Sequence, residues 1–118
     1  MAMSFDLVVL GMGSDGHTAS IFPDSDVINE KRRLVVAPWV EKLRSYRITL
    51  TPPVLNKAAS TIVLVSGAKK AEILHKVLEG EYRPEFFPAQ LISPSEGGLL
   101  WLADREAAQL LNKTSAGK

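Results

Sequence analysis

Cysteine is absent from the 118 residues, which excludes a disulfide framework and any thiolate metal site. Histidine is scarce: only His17 and His75 occur, far apart in the chain, so the sequence offers no cluster of imidazole ligands and no metal is expected. No apolar run approaches the roughly 20 residues needed to cross a bilayer. The opening Met-Ala-Met-Ser lacks the basic stretch and apolar core of a secretory signal. An excess of charge is missing too. Fourteen Lys and Arg against thirteen Asp and Glu leave a formal net charge of +1, which provides no global field to gather nucleic acid or membrane. These absences point to a reducing, cytoplasmic setting and to partners that are neither nucleic acid nor lipid. What is present is ordinary: 46% hydrophobic residues, enough for one core in one domain, with no internal repeat.

The apolar runs are short and separated by turn residues. FDLVVL (residues 5–10) is apolar almost throughout, as in a strand buried on both faces. LVVAP (34–38) and TIVLV (61–65) have strand character, and residues 99–103 form a last strand. In YRITLT, Tyr46, Ile48 and Leu50 alternate with Arg47, Thr49 and Thr51, which predicts a strand with an apolar face and a polar face. A brief helix is expected over Thr18 to Phe22, limited by Pro23. Short helices are expected from Val54 to Ala59, opening on proline, and from Arg105 to about Leu111, capped by Asp104. The clearest helix spans Ala68 to Glu79: Ala71, Leu74, Val77 and Leu78 share a face, Glu72 and Lys76 pair at i,i+4, and Gly80 ends it. Strands alternating with helices imply an α/β fold, a partial doubly wound arrangement with a largely parallel sheet. Ligands bind such sheets beyond the carboxyl ends of the strands. Residues 1–112 are expected to form this unit and 113–118 a flexible tail.

The first strand runs into GMGSDGH. Its G-x-G-x-x-G spacing alone would suggest a dinucleotide loop. That fingerprint also needs a long helix opening at the loop and an acidic residue about 20 positions on, at the end of the next strand. Pro23 truncates the helix, and the second strand ends in Val36-Ala37-Pro38, so a dinucleotide is not expected. Two readings remain. In one, Gly-Ser-Asp-Gly is turn chemistry and His17 a surface residue. In the other, Gly13 and Gly16 shape a tight loop whose amides face an oxyanion, and Asp15 orients His17 for general acid–base work near neutral pH.

Cations mark two further strand ends. SGAKK follows the TIVLV strand; Ser66 can cap the helix, and Lys69 and Lys70 fall in its first turn. Lysines are unfavourable at the positive end of the helix dipole unless an anion binds there, so the pair is either solvated or a phosphate site. Arg47 lies on a strand face, where an arginine either pairs with a structural carboxylate or holds a phosphate. Lys31, Arg32 and Arg33 are read as a solvated charge run, His75 as a surface residue, and Trp39 and Trp101 as packing residues.

Together FDLVVLGMGSDGHTASIFP, YRITLTPPVLNKA, VLVSGAKKAEIL and PAQLI…GGLLWLAD resemble the 6-phosphogluconolactonase branch of the glucosamine-6-phosphate isomerase/6-phosphogluconolactonase superfamily. The resemblance covers roughly residues 5 to 111 and matches the C-terminal half of that family. It implies a Rossmann-like lactonase fold lacking its N-terminal half, and hydrolysis of 6-phospho-D-glucono-1,5-lactone without cofactor. It also implies His17 as general base with Asp15 orienting it, Gly13 and Gly16 as loop formers, and Arg47 and Lys70 as the phosphate-side cations. The amino-sugar deaminase branch shares the loop but continues Ala-Phe-Asn-Glu-Pro, where this chain has Ala19-Ser20-Ile21-Phe22-Pro23. The chain is expected to be a fragment or one half of a split protein. Its exposed sheet edge would then seek a second copy or the missing half; its own activity would be weak, or, in the alternative reading, it would be a non-catalytic folded fragment that needs the missing half.

Overall fold

The structure, a computed structural model, describes residues 4–112. The expected tail at 113–118 lies outside the described residues. Three parallel strands form the framework: β1 (Leu7–Gly11), β6 (Ser60–Val65) and β7 (Gly98–Ala103), in the order β1-β6-β7. Leu7 pairs with Ser60, and Ser60 with Gly98, and this register runs to the strand ends. The β6-to-β7 crossover carries α2 (Ala71–Glu79), preceded by a 3₁₀ turn at Ala68–Lys70. The longer β1-to-β6 connection holds two small antiparallel ribbons. One pairs β2 (Val35–Val36) with β5 (Thr49–Leu50); the other pairs β3 (Trp39–Val40) with β4 (Ser45–Tyr46). A single helical turn, α1 (Pro52–Leu55), opens on Pro52 and Pro53, because proline's fixed φ and missing N–H suit a first helical turn.

The core lies on one side of the sheet. Val8, Val63 and Val65 project there, against Leu74 and Val77 of α2 and against Ile21, Leu55 and Ala89. The opposite face is bare. Leu7 and Val9 of β1, Leu64 of β6, and Leu100 and Leu102 of β7 are all exposed, at 46–53%. The register puts Val9, Ile62 and Leu100 in one row and Gly11, Leu64 and Leu102 in the next. The expectation that the first strand is buried on both faces therefore fails within the described residues. Parallel sheets are covered on both faces, and the layer that would cover this one is not among residues 4–112.

Other expectations are revised locally. Residues 18–22 form no helix. Ala19 takes a left-handed φ of 52°, and Thr18 and Ile21 make a small antiparallel bridge. In 46–51 the continuous strand breaks into β4 and β5, and its buried residues are the two threonines of the polar set, with Leu50 half-buried and Arg47 exposed. Thr49 and Thr51 are buried while Tyr46 and Ile48 are exposed, because the Thr51 hydroxyl donates to the Arg33 carbonyl at 2.7 Å and the Thr49 hydroxyl to Leu50 O at 2.8 Å. Asp104 accepts from the Ala107 amide at 2.9 Å as a cap would, yet residues 105–110 form successive turns instead of a helix. Ser66 does not cap the α2 region. Its hydroxyl donates to Asp104 at 2.9 Å, and the turn opens at Gly67, with φ 98° and no side-chain cap. Glu72 and Lys76 make no ion pair among the described residues; on that helix His75 pairs instead with Glu79, at 3.4 Å.

Candidate active site

The loop after β1 is held at four places. The Thr18 hydroxyl donates to Gly11 O at 2.8 Å, closing the loop onto the strand end. The Ser20 amide donates to the Thr49 hydroxyl at 3.1 Å. Gly16 O accepts from the Ala89 amide at 2.8 Å. Lys70 donates from Nζ to Met12 O at 2.7 Å, across 58 residues of sequence. Each partner lies in a different segment, so the loop conformation is over-determined by the surrounding fold.

Within it, Asp15 Oδ1 lies 2.6 Å from His17 Nδ1 and also accepts the His17 backbone N–H at 3.1 Å. With the carboxylate as acceptor, Nδ1 carries the proton and Nε2 is left as the basic nitrogen. The Phe22 ring stacks on the imidazole, with centroids 4.1 Å apart and planes 21° apart. Both side chains of the pair are partly sheltered, His17 at 29% and Asp15 at 21% exposure.

Gly13 leaves the room this arrangement needs. A Cβ there would overlap the His17 imidazole and approach Asp15 Oδ1 to 2.9 Å. Gly16 has φ 86° and sits under Phe87, where a Cβ would come within 3.3 Å of backbone. Both glycine amides are used inside the loop: Gly13 N–H donates to His17 O and Gly16 N–H to Gly13 O, each at 2.9 Å. The adjacent amides of Ser14 and Asp15 have no partner among the described residues.

The second oxygen of Asp15 has a partner that the sequence pattern does not signal. Lys42 Nζ lies 2.9 Å from Oδ2, delivered by the 3₁₀ turn Glu41–Leu43 between β3 and β4. Burial alone would raise the Asp15 carboxyl; hydrogen bonds from Lys42 and then His17 outweigh it and hold it at about 2, below its ordinary 3.8. Glu30, held by the Arg33 and Arg32 amides and the Arg33 guanidinium, is also lowered to about 2. Asp104 is lowered by the Ala107 and Gly67 amides and the Ser66 hydroxyl. A carboxyl lowered in the folded state adds stability above its unfolded value and loses it as pH falls through the folded value. Thermal unfolding midpoints should therefore fall between about pH 4 and pH 2. Asp104→Asn should flatten part of that decline in a circular-dichroism series. An unchanged pH dependence in this variant would remove Asp104 from the account.

The cations separate. Lys70 turns toward the loop, whereas Lys69 is exposed. The Gly67 amide beside them is taken by Asp104, at 3.1 Å from each carboxylate oxygen. Arg47 is exposed, with its backbone N–H on Pro38 O at 3.0 Å and its guanidinium unpaired among the described residues. The structure thus joins Asp15, His17 and Lys70 through one loop and leaves Arg47 outside that hydrogen-bonded set. Among the described residues no group of three His, Cys, Asp or Glu could hold a metal ion, and no helix is long and apolar enough to cross a membrane.

A family model described as glucosamine-6-phosphate isomerases/6-phosphogluconolactonase matches residues 1–101. The chain belongs to that family. Among its relatives, the 6-phosphogluconolactonase of Bos taurus is 46% identical over 110 residues, covering 91% of this chain and 42% of its own length. The Homo sapiens 6-phosphogluconolactonase is 43% identical over 109 residues, with the same two shares. The solved 6-phosphogluconolactonase of Trypanosoma brucei superposes with a TM-score of 0.80 at 34% identity, covering 92% of this chain and 43% of that one. The chain therefore spans less than half the length of these family members.

Proposed function

We propose that this chain carries the acid–base half of a sugar-phosphate lactonase site, for hydrolysis of 6-phospho-D-glucono-1,5-lactone to 6-phosphogluconate. The observation that carries the reading is the 2.6 Å contact between Asp15 and His17, on a loop at the carboxyl end of a parallel strand. In this scheme His17 Nε2 takes a proton from water while the water oxygen bonds to the lactone carbonyl carbon, and the carbonyl electrons move onto its oxygen. The free amides of Ser14 and Asp15 suit that oxyanion better than those of Gly13 and Gly16, which are used within the loop. Collapse breaks the bond to the ring oxygen, which takes the proton back from Nε2. One water has been added and His17 is restored. Lys70 keeps two N–H bonds beyond the one on Met12 O, and Arg47 keeps its whole guanidinium; both are the phosphate-side cations of this reading.

The amino-sugar deaminase branch is the alternative. Where its pattern has a glutamate this chain has Phe22, whose ring lies on His17, and an aromatic there supports the lactonase branch. The remaining part of the site, and the cover for the bare sheet face, are assigned to the portion of the relatives that this chain does not match. The chain should be mixed with that portion and supplied with fresh 6-phosphogluconolactone, measuring acid release above the spontaneous rate. Release well above buffer, with no ammonia from glucosamine 6-phosphate, is the expected outcome. Ammonia release without lactone hydrolysis would transfer the chain to the other branch.

A further inference from the structure

Asp15 faces His17 with one oxygen and Lys42 with the other, and only the first contact belongs to the loop motif. The second is made from 27 residues away. Lys42 is 64% exposed and Asp15 21%, and an exposed ion pair of this kind contributes little to folding. The hairpin that delivers the lysine is nevertheless well defined. Trp39 and Tyr46 are directly paired across β3 and β4 and meet edge-on at 5.2 Å. Arg44 turns the chain in a left-handed conformation, φ 50°. Trp39 Nε1 donates to Glu41 at 2.8 Å, and Arg44 lies 3.6 Å from Glu41. The neighbouring acid of Lys42 is therefore engaged elsewhere, and its ammonium is directed to Asp15.

We propose that Lys42 is a positioning residue for the Asp15–His17 pair: it holds the outer carboxylate oxygen and offsets its charge, which tempers how strongly Asp15 favours a protonated imidazole. An aspartate alone beside a histidine stabilises the charged ring. A base must be neutral to accept a proton from water. A cation on the far oxygen reconciles the two demands, because the carboxylate still fixes the Nδ1 proton while its field at the ring is partly cancelled. The other charged groups around the pair are few. Asp24 and Glu41 line the 420 Å³ cavity that Asp15 and Lys42 share with Phe22 and Trp39. Lys70 reaches the same loop through Met12 O. None of these is within ion-pair distance of Asp15 or His17.

The inference rests on the lactonase reading for its purpose but not for its test, which needs no substrate. The chain has two histidines, so a His75→Gln background leaves one imidazole whose Cε1 proton can be followed by NMR from pH 5 to pH 9. Lys42→Met should move that titration curve to higher pH by about half a unit or more, and Lys42→Arg should return it. Thermal midpoints near neutral pH should be alike in all three, since the lysine is exposed. A Lys42→Met curve that superimposes on the parent, or an arginine variant that behaves like methionine, would overturn the proposal even if the protein proves to be a lactonase. A failed hydrolysis assay would leave the titration result standing.

Discussion

Replacing His17 by alanine should lower catalysed lactone hydrolysis by about 10²–10⁴-fold, the usual contribution of a positioned general acid–base, while the fold persists. The side chain is more than a quarter exposed and its main partners are Asp15 and Phe22, so little core packing is lost with it. Gly13→Ala should reach a similar loss by another route. Its Cβ has no space beside the imidazole and the Asp15 carboxylate. The pair must separate, and misplacing a reacting group by about 1 Å can cost roughly 10²-fold. His75→Gln is the control: that side chain is exposed on α2, beside Glu79 and away from the loop, and activity should stay near the parent's. Rates for the three variants, measured beside the parent on the reconstituted site, check the assignment. Full activity in Gly13→Ala would mean that the Asp15–His17 geometry is not what catalysis uses.

The bare sheet face leads to the second large effect. Leu7, Val9, Leu64, Leu100 and Leu102 present one contiguous apolar surface, and β1 leaves an edge open beside it. Exposed patches of this kind mark interaction surfaces, and open edges template further pairing. In isolation the chain should associate with itself as concentration rises, and light scattering should show masses above 12.9 kDa. Placing Lys at 64 and Glu at 100 should shift it to monomer with little change in thermal midpoint, because both positions already face solvent. The same pair of substitutions should abolish binding of the portion of the family domain that the chain lacks. A parent chain that stays monomeric at high concentration and does not bind that portion would show that the face is tolerated bare.

How much of this was legible in the sequence depended on the range of the interaction. The three strands and α2 were visible because their apolar residues repeat at short period, and burial on the core side enforces that period. The loop was visible because its chemistry is local: Asp15 lies two residues from His17, and the glycines that make room for them are in the same few residues. Lys69 and Lys70 were flagged together by their place after the strand, and only the family resemblance chose Lys70; neither showed that it would bind Met12 O. Where the decisive partner is remote, the sequence misled or was silent. Apolar Ile48 and Tyr46 face solvent because Thr49 and Thr51 satisfy backbone carbonyls and the loop amide of Ser20. Ser66 turned to Asp104 across the sheet.

By itself, then, the sequence determined the parallel α/β framework and a loop able to set an aspartate against a histidine, since both follow from neighbours along the chain. Tertiary structure decided that Phe22 stacks on the imidazole, that Lys42 takes the second oxygen of Asp15, and that one face of the sheet stands uncovered. Those outcomes depend on which distant segments share a surface, and no periodicity or short motif encodes that.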